Sequence, residues 1–362
     1  MTQNIDNIYG TFEAAKIKSM QVEENLKVNP HKYRILTGER PTGNLHIGHY
    51  FGSLQNRTRI QNIGVETFII IADYQVLTDR EIADKIAETI IEIVKDYLAI
   101  GLDPENGRTF IFPHSHVPEL NQLMLPFLTL VTNAELNRNP TVKEEISASG
   151  MKNINAGMYT YPIHQAADIL FCKGNLVPVG KDQLPHLEIT RTIARRFNNK
   201  FARGKRLFPE PVALLSEAPT ILGIDGSQKM SKSRNNAIMI SATADETAEL
   251  IKKAKTDSER LITYDPKNRP EVSNLILLGS MCSNESPETY AAKISDGGAG
   301  KLKQAVTDSI NNYFAPIRAK RIEYDKNPDY IISVLKSGIA RAREEATITL
   351  DEVREAMNMK LF

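Results

Sequence analysis

Tyr33-Arg34-Ile35-Leu36-Thr37-Gly38-Glu39-Arg40-Pro41-Thr42-Gly43-Asn44-Leu45-His46-Ile47-Gly48-His49 reads as a strand, a turn and the opening of a helix. Tyr33–Thr37 is the strand and Pro41-Thr42-Gly43-Asn44 the turn, and the spacing predicts a helix from near Ile47 through Leu54 towards Arg59. A strand that turns directly into a helix offers unpaired backbone N–H groups and the positive end of a helix dipole, which suit a phosphate. Gly43 and Gly48 lack a Cβ, so a nucleotide could approach the backbone closely. His46 and His49 lie three apart, can face one way on a helical turn, and can both donate to phosphate oxygens.

Working outward, Glu66–Ala72 is a near-continuous apolar run, as expected of a parallel strand covered on both faces. Arg80–Ile100 repeats Ile82, Ile86, Ile90, Ile93, Val94 and Leu98 at helical spacing and stops at Gly101, and Thr109–Phe112 is another short strand. This alternation predicts a doubly wound parallel sheet of the α/β class, with ligands outside the carboxyl ends of its strands. Pro118–Leu136, Gly157–Cys172 and Gln183–Asn198 read as helices. Beyond about Ile240, Ala242–Ala254, Lys301–Tyr313, Arg318–Tyr324 and Asp329–Glu345 do too, so the C-terminal third is expected to be all-helical. Residues 1–30 read as an extension whose short helix, Thr11–Glu24, sets Phe12, Ala15, Ile17 and Met20 loosely on one side.

The 362 residues suit about two domains. With 41% hydrophobic and 25% charged residues the composition is that of a soluble globular protein, and no apolar run approaches the roughly 20 residues that span a bilayer. Met1–Gly10 reads as polar and weakly acidic, so no signal segment is expected there. Two cysteines, Cys172 and Cys282, exclude a disulfide framework and a four-thiolate metal site, so a reducing cytoplasm is expected. A formal net charge of +1 announces no nucleic-acid binder, and any RNA contact must come from local patches.

Two further constellations carry chemistry. Lys229-Met230-Ser231-Lys232-Ser233 follows Asp225-Gly226-Ser227, and two lysines in a small polar loop can swing onto a triphosphate and neutralise charge developing on pyrophosphate. In Thr160-Tyr161-Pro162-Ile163-His164-Gln165-Ala166-Ala167-Asp168, Tyr161, Gln165 and Asp168 share one helix face. A carboxylate aimed into an apolar pocket can accept an indole N–H, a donor-only group. The same helix could equally pack Ile163, Ala166 and Ala167 inward and leave Asp168 at a solvent edge.

Together, the His46-Ile47-Gly48-His49 and Lys229–Ser233 stretches resemble the HIGH and KMSKS motifs of class I aminoacyl-tRNA synthetases. The Asp168 helix, the Val177-Pro178-Val179-Gly180-Lys181-Asp182-Gln183 segment, Thr190–Asn198, and Gly338–Ala342 through Val353–Met357 resemble tryptophanyl-tRNA synthetases. The resemblance runs from about Ile35 to Met357 and implies a Rossmann-like catalytic domain (31–240, with a dimer-forming insertion) and a helical anticodon-binding domain (241–362). It implies L-tryptophan, ATP and tRNA(Trp) as partners, Mg²⁺ carried on the ATP phosphates with no protein metal site, no membrane, and a homodimer. His46, His49, Lys229 and Lys232 would be catalytic. Gly43, Gly48, Gly180, Asp182, Met230 and Ser231 would join them at ATP, with Gly180 and Asp182 at the ribose. Asp168 would read the indole, Tyr161 and Gln183 would hold the amino or carboxylate group, and Gln165, Arg40 and Gln75 would complete the tryptophan site. Gln165, Gln75 and Arg40 depart from the Met, His and Gln common at their positions. Two alternatives stay open: a tyrosyl-tRNA synthetase, which shares the Tyr161-Gln165-Asp168 spacing, and a paralogue that binds tryptophan or a nucleotide without charging tRNA.

Overall fold

The computed structural model describes residues 3–78, 84–149, 154–215 and 220–361. Five strands, β1 (Arg34–Glu39), β2 (Glu66–Ile71), β3 (Thr109–Pro113), β4 (Leu176–Val179) and β5 (Val212–Leu215), form one parallel sheet in the order β3-β2-β1-β4-β5. The expected doubly wound sheet is therefore present. Its order reverses between β1 and β4. There, only Ile35 and Leu176 pair, whereas β1 and β2 pair from Arg34↔Glu66 to Glu39↔Ile71. Beyond that single pair β1 and β4 do not pair with each other, at the position where doubly wound sheets bind ligands. On the other side β1 and β2 are in very close contact: a Cβ on Gly38 would stand 1.8 Å from the Ile70 carbonyl oxygen.

The long helices are α1 (Gln3–Val28), α2 (Ile86–Ala99), α3 (Ala156–Leu170), α4 (Leu184–Lys200), α5 (Pro270–Ser283), α6 (Gly298–Asp325) and α7 (Pro328–Ala356). Helix α1 is longer than the sequence suggested, and its expected face is corrected. Ile17 and Met20 are each 58% exposed, while Val22 and Leu26 pack with Ile35, Leu176 and Leu214. Ala15, Ser19, Val22 and Leu26 form the true helical stripe, and the Ser19 hydroxyl accepts the Leu215 N–H of edge strand β5 at 2.9 Å. At the other edge α7 lies against β3, so closely that a Cβ on Gly338 would meet the Ile111 carbonyl oxygen at 2.0 Å.

Other expectations change in detail. The helix expected over Pro118–Leu136 is three short ones, Pro118–Asn121, Met124–Leu128 and Asn133–Arg138. Pro126 lacks an N–H, and Thr132 with Glu135 forms a reciprocal cap that starts the third afresh. Lys301–Tyr313 and Arg318–Tyr324 fuse into α6, which runs through Pro316. Helix α2 begins at Ile86; Ile82 and the rest of residues 79–83 lie outside the described residues. The sequence reading missed α5, which is buried on most of its sides, polar Ser273 and Asn274 included, and the four-residue strands β4 and β5. The C-terminal helices share a core with the sheet: Ile69 and Ile71 of β2 and Ile111 of β3 belong to one cluster with Ile310 and Phe314. Across that junction the fully buried Asp96 accepts from Arg321 Nε at 2.8 Å and from the Leu45 N–H at 3.3 Å.

Candidate active site

After Leu45 the chain makes one helical turn, Ile47–His49, continues as a π-helical stretch, Tyr50–Leu54, and becomes α-helical over Gln55–Asn62. The turn is capped by its own histidines. The His49 N–H donates to His46 Nδ1 at 3.2 Å, and the His46 N–H donates to His49 Nδ1 at 3.3 Å. The rings stack with centroids 3.5 Å apart. A backbone amide can only donate, so both Nδ1 atoms accept and each ring carries its proton on Nε2. Burial, then Lys232 and Lys229, push His46 down to about 4. Burial, then the neighbouring His46, push His49 down to about 2. Both rings are neutral at pH 7 and offer N–H donors.

The lysine loop is brought to this turn by a short ladder: Ile47 N–H donates to Ile238 O at 2.9 Å, and Ile240 N–H to Leu45 O at 3.0 Å. Buried Asn236 fixes the loop itself, accepting the Ser231 N–H at 2.8 Å and donating to Asp225 at 3.1 Å. A Cβ on Gly43, whose φ is +131°, would stand 3.3 Å from Lys232 Nζ. Two motifs far apart in sequence thus meet. The Met230 side chain is buried with Leu45, Ile47 and Ile238, where it packs the two loops together.

A cavity of about 290 Å³ lies at the carboxyl ends of β1 and β4. Arg40, Gln75, Tyr161, Gln165, Asp168 and Gln183, all expected at the amino acid, line it. Gly180 and Asp182 are exposed just after β4, and the Gln183 amide donates to Asp182 at 3.1 Å. The sequence reading missed Glu39, Arg57 and Glu145, which also line the cavity. Buried Arg57 pairs with Glu39 at 2.8 Å, and the Tyr97 hydroxyl donates to the same carboxylate.

Two histidine relays support the polar groups. In one, Asn139 accepts the Thr141 and Val142 N–H groups, so its amide nitrogen donates to His186 Nδ1 at 3.3 Å. His186 then donates from Nε2 to the Tyr161 oxygen at 2.8 Å, leaving the Tyr161 hydroxyl to donate to Glu145. Burial pushes His186 down to about 4 and raises the Tyr161 phenol. In the other, the Tyr74 N–H donates to His114 Nε2 at 2.9 Å, and His114 Nδ1 reaches Asp168 Oδ1 at 3.1 Å. His114, His164 and Asp168 are the one group of possible metal ligands among the described residues, their ligand atoms lying within 4.8 Å of one another. Both His114 nitrogens are already engaged, so the trio reads as a hydrogen-bond network. The available signal for His114 was its position, just past the carboxyl end of a strand.

A doubly wound sheet with a donor-rich helical turn, an adjoining lysine loop and a switch-point cavity defines a nucleotide-activating enzyme of the class I synthetase type. Residues 29–315 match the family described as tRNA synthetases class I (W and Y). The chain is 42% identical to the tryptophan--tRNA ligase of Clostridium longisporum over 91% of this chain and 97% of that one. It is 40% identical to the Streptococcus mutans tryptophan--tRNA ligase, over 91% and 98%. The crystal structure of Campylobacter jejuni tryptophanyl-tRNA synthetase complexed with ADP and tryptophan is similar at a TM-score of 0.78 and 29% identity, covering 90% of this chain and 99% of that one. The chain belongs to this class I (W and Y) family, on its tryptophan--tRNA ligase branch.

Proposed function

We propose that this chain activates L-tryptophan with ATP and transfers it to tRNA(Trp), and that the residues gathered above do the work. The observation that carries the reading is a donor-only phosphate turn whose His49 lies within electrostatic reach of Arg57, a residue that lines a cavity whose deepest acid, Asp168, is 2% exposed. The tryptophan carboxylate attacks the α-phosphate in line and pyrophosphate leaves, giving tryptophanyl-adenylate. The terminal ribose hydroxyl of the tRNA then takes the acyl group and AMP leaves. The attacking carboxylate needs no base, so positioning and charge stabilisation carry the first step.

His46 and His49 donate to the phosphates, Lys229, Lys232 and Ser231 act on the leaving pyrophosphate, and Gly43 and Gly48 let the nucleotide approach the backbone. Gly180 and Asp182 hold the ribose. Asp168 accepts the indole N–H, Gln165 and Gln75 flank it, and Tyr161, Gln183, Glu145 and Arg40 hold the charged amino and carboxylate groups. The phosphate-facing histidines and lysines are donors. Mg²⁺, which takes oxygen ligands, would therefore be held by the triphosphate, where it would neutralise phosphate charge. Residues 31–240 are the catalytic unit and 241–362 the tRNA-reading one. Exposed Tyr74, Leu77 and Leu125, on elements packed against α3, support a homodimer. Among the described residues no helix is long and apolar enough to cross a membrane, and the chemistry suits a cytoplasmic enzyme.

Amino-acid-dependent ATP–pyrophosphate exchange tests the reading. Tryptophan should support it, with tyrosine and phenylalanine poorer by about 10³-fold or more, because a site built around the indole N–H rejects rings that place no donor at that point. Equal or better exchange with tyrosine would overturn it.

A further inference from the structure

Asp168 is a buried carboxylate with room for about four hydrogen bonds, and among the described residues it receives two. His114 Nδ1 stands 3.1 Å from Oδ1, while the Gln75 amide is 3.4 Å from Oδ2, at the outer limit of a hydrogen bond. Oδ2 is therefore the oxygen with spare capacity. The direction of the His114 bond follows from its far side. The Tyr74 backbone N–H donates to Nε2 at 2.9 Å, so Nε2 holds a lone pair and the ring proton sits on Nδ1, pointing at Asp168. Asp73 Oδ1 is 3.4 Å from Nε2, but it already accepts from the Tyr74 and Ser115 N–H groups.

His114 is itself held. The Asn121 amide nitrogen donates to the His114 and Val117 carbonyls, which turns its oxygen to His164 Nε2 at 2.6 Å. The His164 ring in turn packs on His114 with centroids 4.6 Å apart.

We propose that His114 is a specificity-determining positioning residue: it pins Asp168 through Oδ1 so that Oδ2 faces the cavity and accepts the indole N–H. This deepens the tryptophan reading and rests on it. His114 touches no substrate atom. It removes the rotational freedom of the one carboxylate that distinguishes an indole from an isosteric ring without a donor, so its contribution exists only for ligands that carry that donor.

The test is pyrophosphate exchange by the full-length protein with two substrates, tryptophan and its benzothiophene analogue, in which sulfur replaces the N–H. His114→Phe keeps a ring and deletes the donor. His114→Asn keeps a donor close to the Nδ1 position. For His114→Phe, kcat/KM for tryptophan should fall about 10- to 100-fold, the range for a hydrogen bond to a charged group, while that for the benzothiophene analogue changes less than about threefold. His114→Asn should recover most of the tryptophan activity. Equal losses for both substrates would make His114 a packing residue and overturn the inference while leaving the tryptophan reading intact. Failure of the unaltered protein to use tryptophan would defeat both. Should His114→Phe not fold, ¹⁵N spectra of the unaltered protein decide: a proton on His114 Nδ1 supports the inference, and one on Nε2 overturns it.

Discussion

At the phosphate end, stacked His46 and His49 cap one another's backbone and present only donors, with two lysines on a loop that reaches them from far along the chain. At the amino-acid end, Asp168 is an acceptor and Tyr161 a hydroxyl, each given its orientation by a buried imidazole behind it. The first end is made of contiguous motifs and is ready to meet negative charge. The second is assembled from β1, β2, β4, α3 and their loops, and its polarity is set one layer back. Charge stabilisation needs only enough donors close by, whereas discrimination between aromatic rings needs one acceptor held at a fixed angle.

The largest expected effect separates the two ends in kinetic terms. Lys232→Ala should lower kcat in pyrophosphate exchange by about 10²–10³-fold, as removing a transition-state donor does, with KM for ATP nearly unchanged. A rise confined to KM would mean that the loop binds ATP in the ground state and would erase the contrast. Asp168→Ala should act on the other substrate, lowering kcat/KM for tryptophan about 10- to 100-fold and leaving KM for ATP alone. A near-neutral result would place Asp168 outside the amino-acid site.

Arg40 sharpens the border between the ends, since it lines the cavity and stands three residues before Gly43. Arg40→Ala should raise KM for tryptophan or ATP about tenfold, the low end for a charged hydrogen bond, and the substrate affected assigns Arg40 to one end. Arg40→Gln should lose less. Unchanged kinetics in both variants would make it a surface residue.

The smallest effect is one of stability and concerns the imidazoles that both ends share. His186 has its folded pKa depressed to about 4 by burial, below its ordinary value of about 6.5. The unfolded chain binds the proton more readily, so the contribution of neutral His186 is present above pH ~6.5 and is lost as pH falls towards 4. Relative to His186→Asn, the unaltered protein should lose a few degrees of Tm between pH 7 and pH 4.5, measured by circular dichroism. A pH-independent difference would show that His186 is not held neutral.

Much of this was legible in advance where short-range chemistry decides. The strand, turn and histidine turn from Tyr33 to His49, the apolar β2 and the Tyr161-Gln165-Asp168 stripe depend on local period and on residue type. Strands β4 and β5 were not legible, because four residues, one of them Pro178, carry too little pattern. His114, His186 and Glu145 were missed for another reason. His114 and His186 act through Asp168 and Tyr161, Glu145 reaches the cavity beside Tyr161, and a lone His or Glu says nothing about such a partner until the chain has folded.

The way α7 lies against β3 bears on how the chain is made as well as on how it stands. Strands β1, β2 and β3 emerge early from the ribosome, yet the helix that sits on Ile111 is encoded far later. Throughout that interval the growing polypeptide carries a half-dressed sheet, its outer strand offering unpaired N–H and C=O groups to any neighbouring nascent chain. The outer strand is therefore left without its covering helix until the segment around Gly338 has been translated.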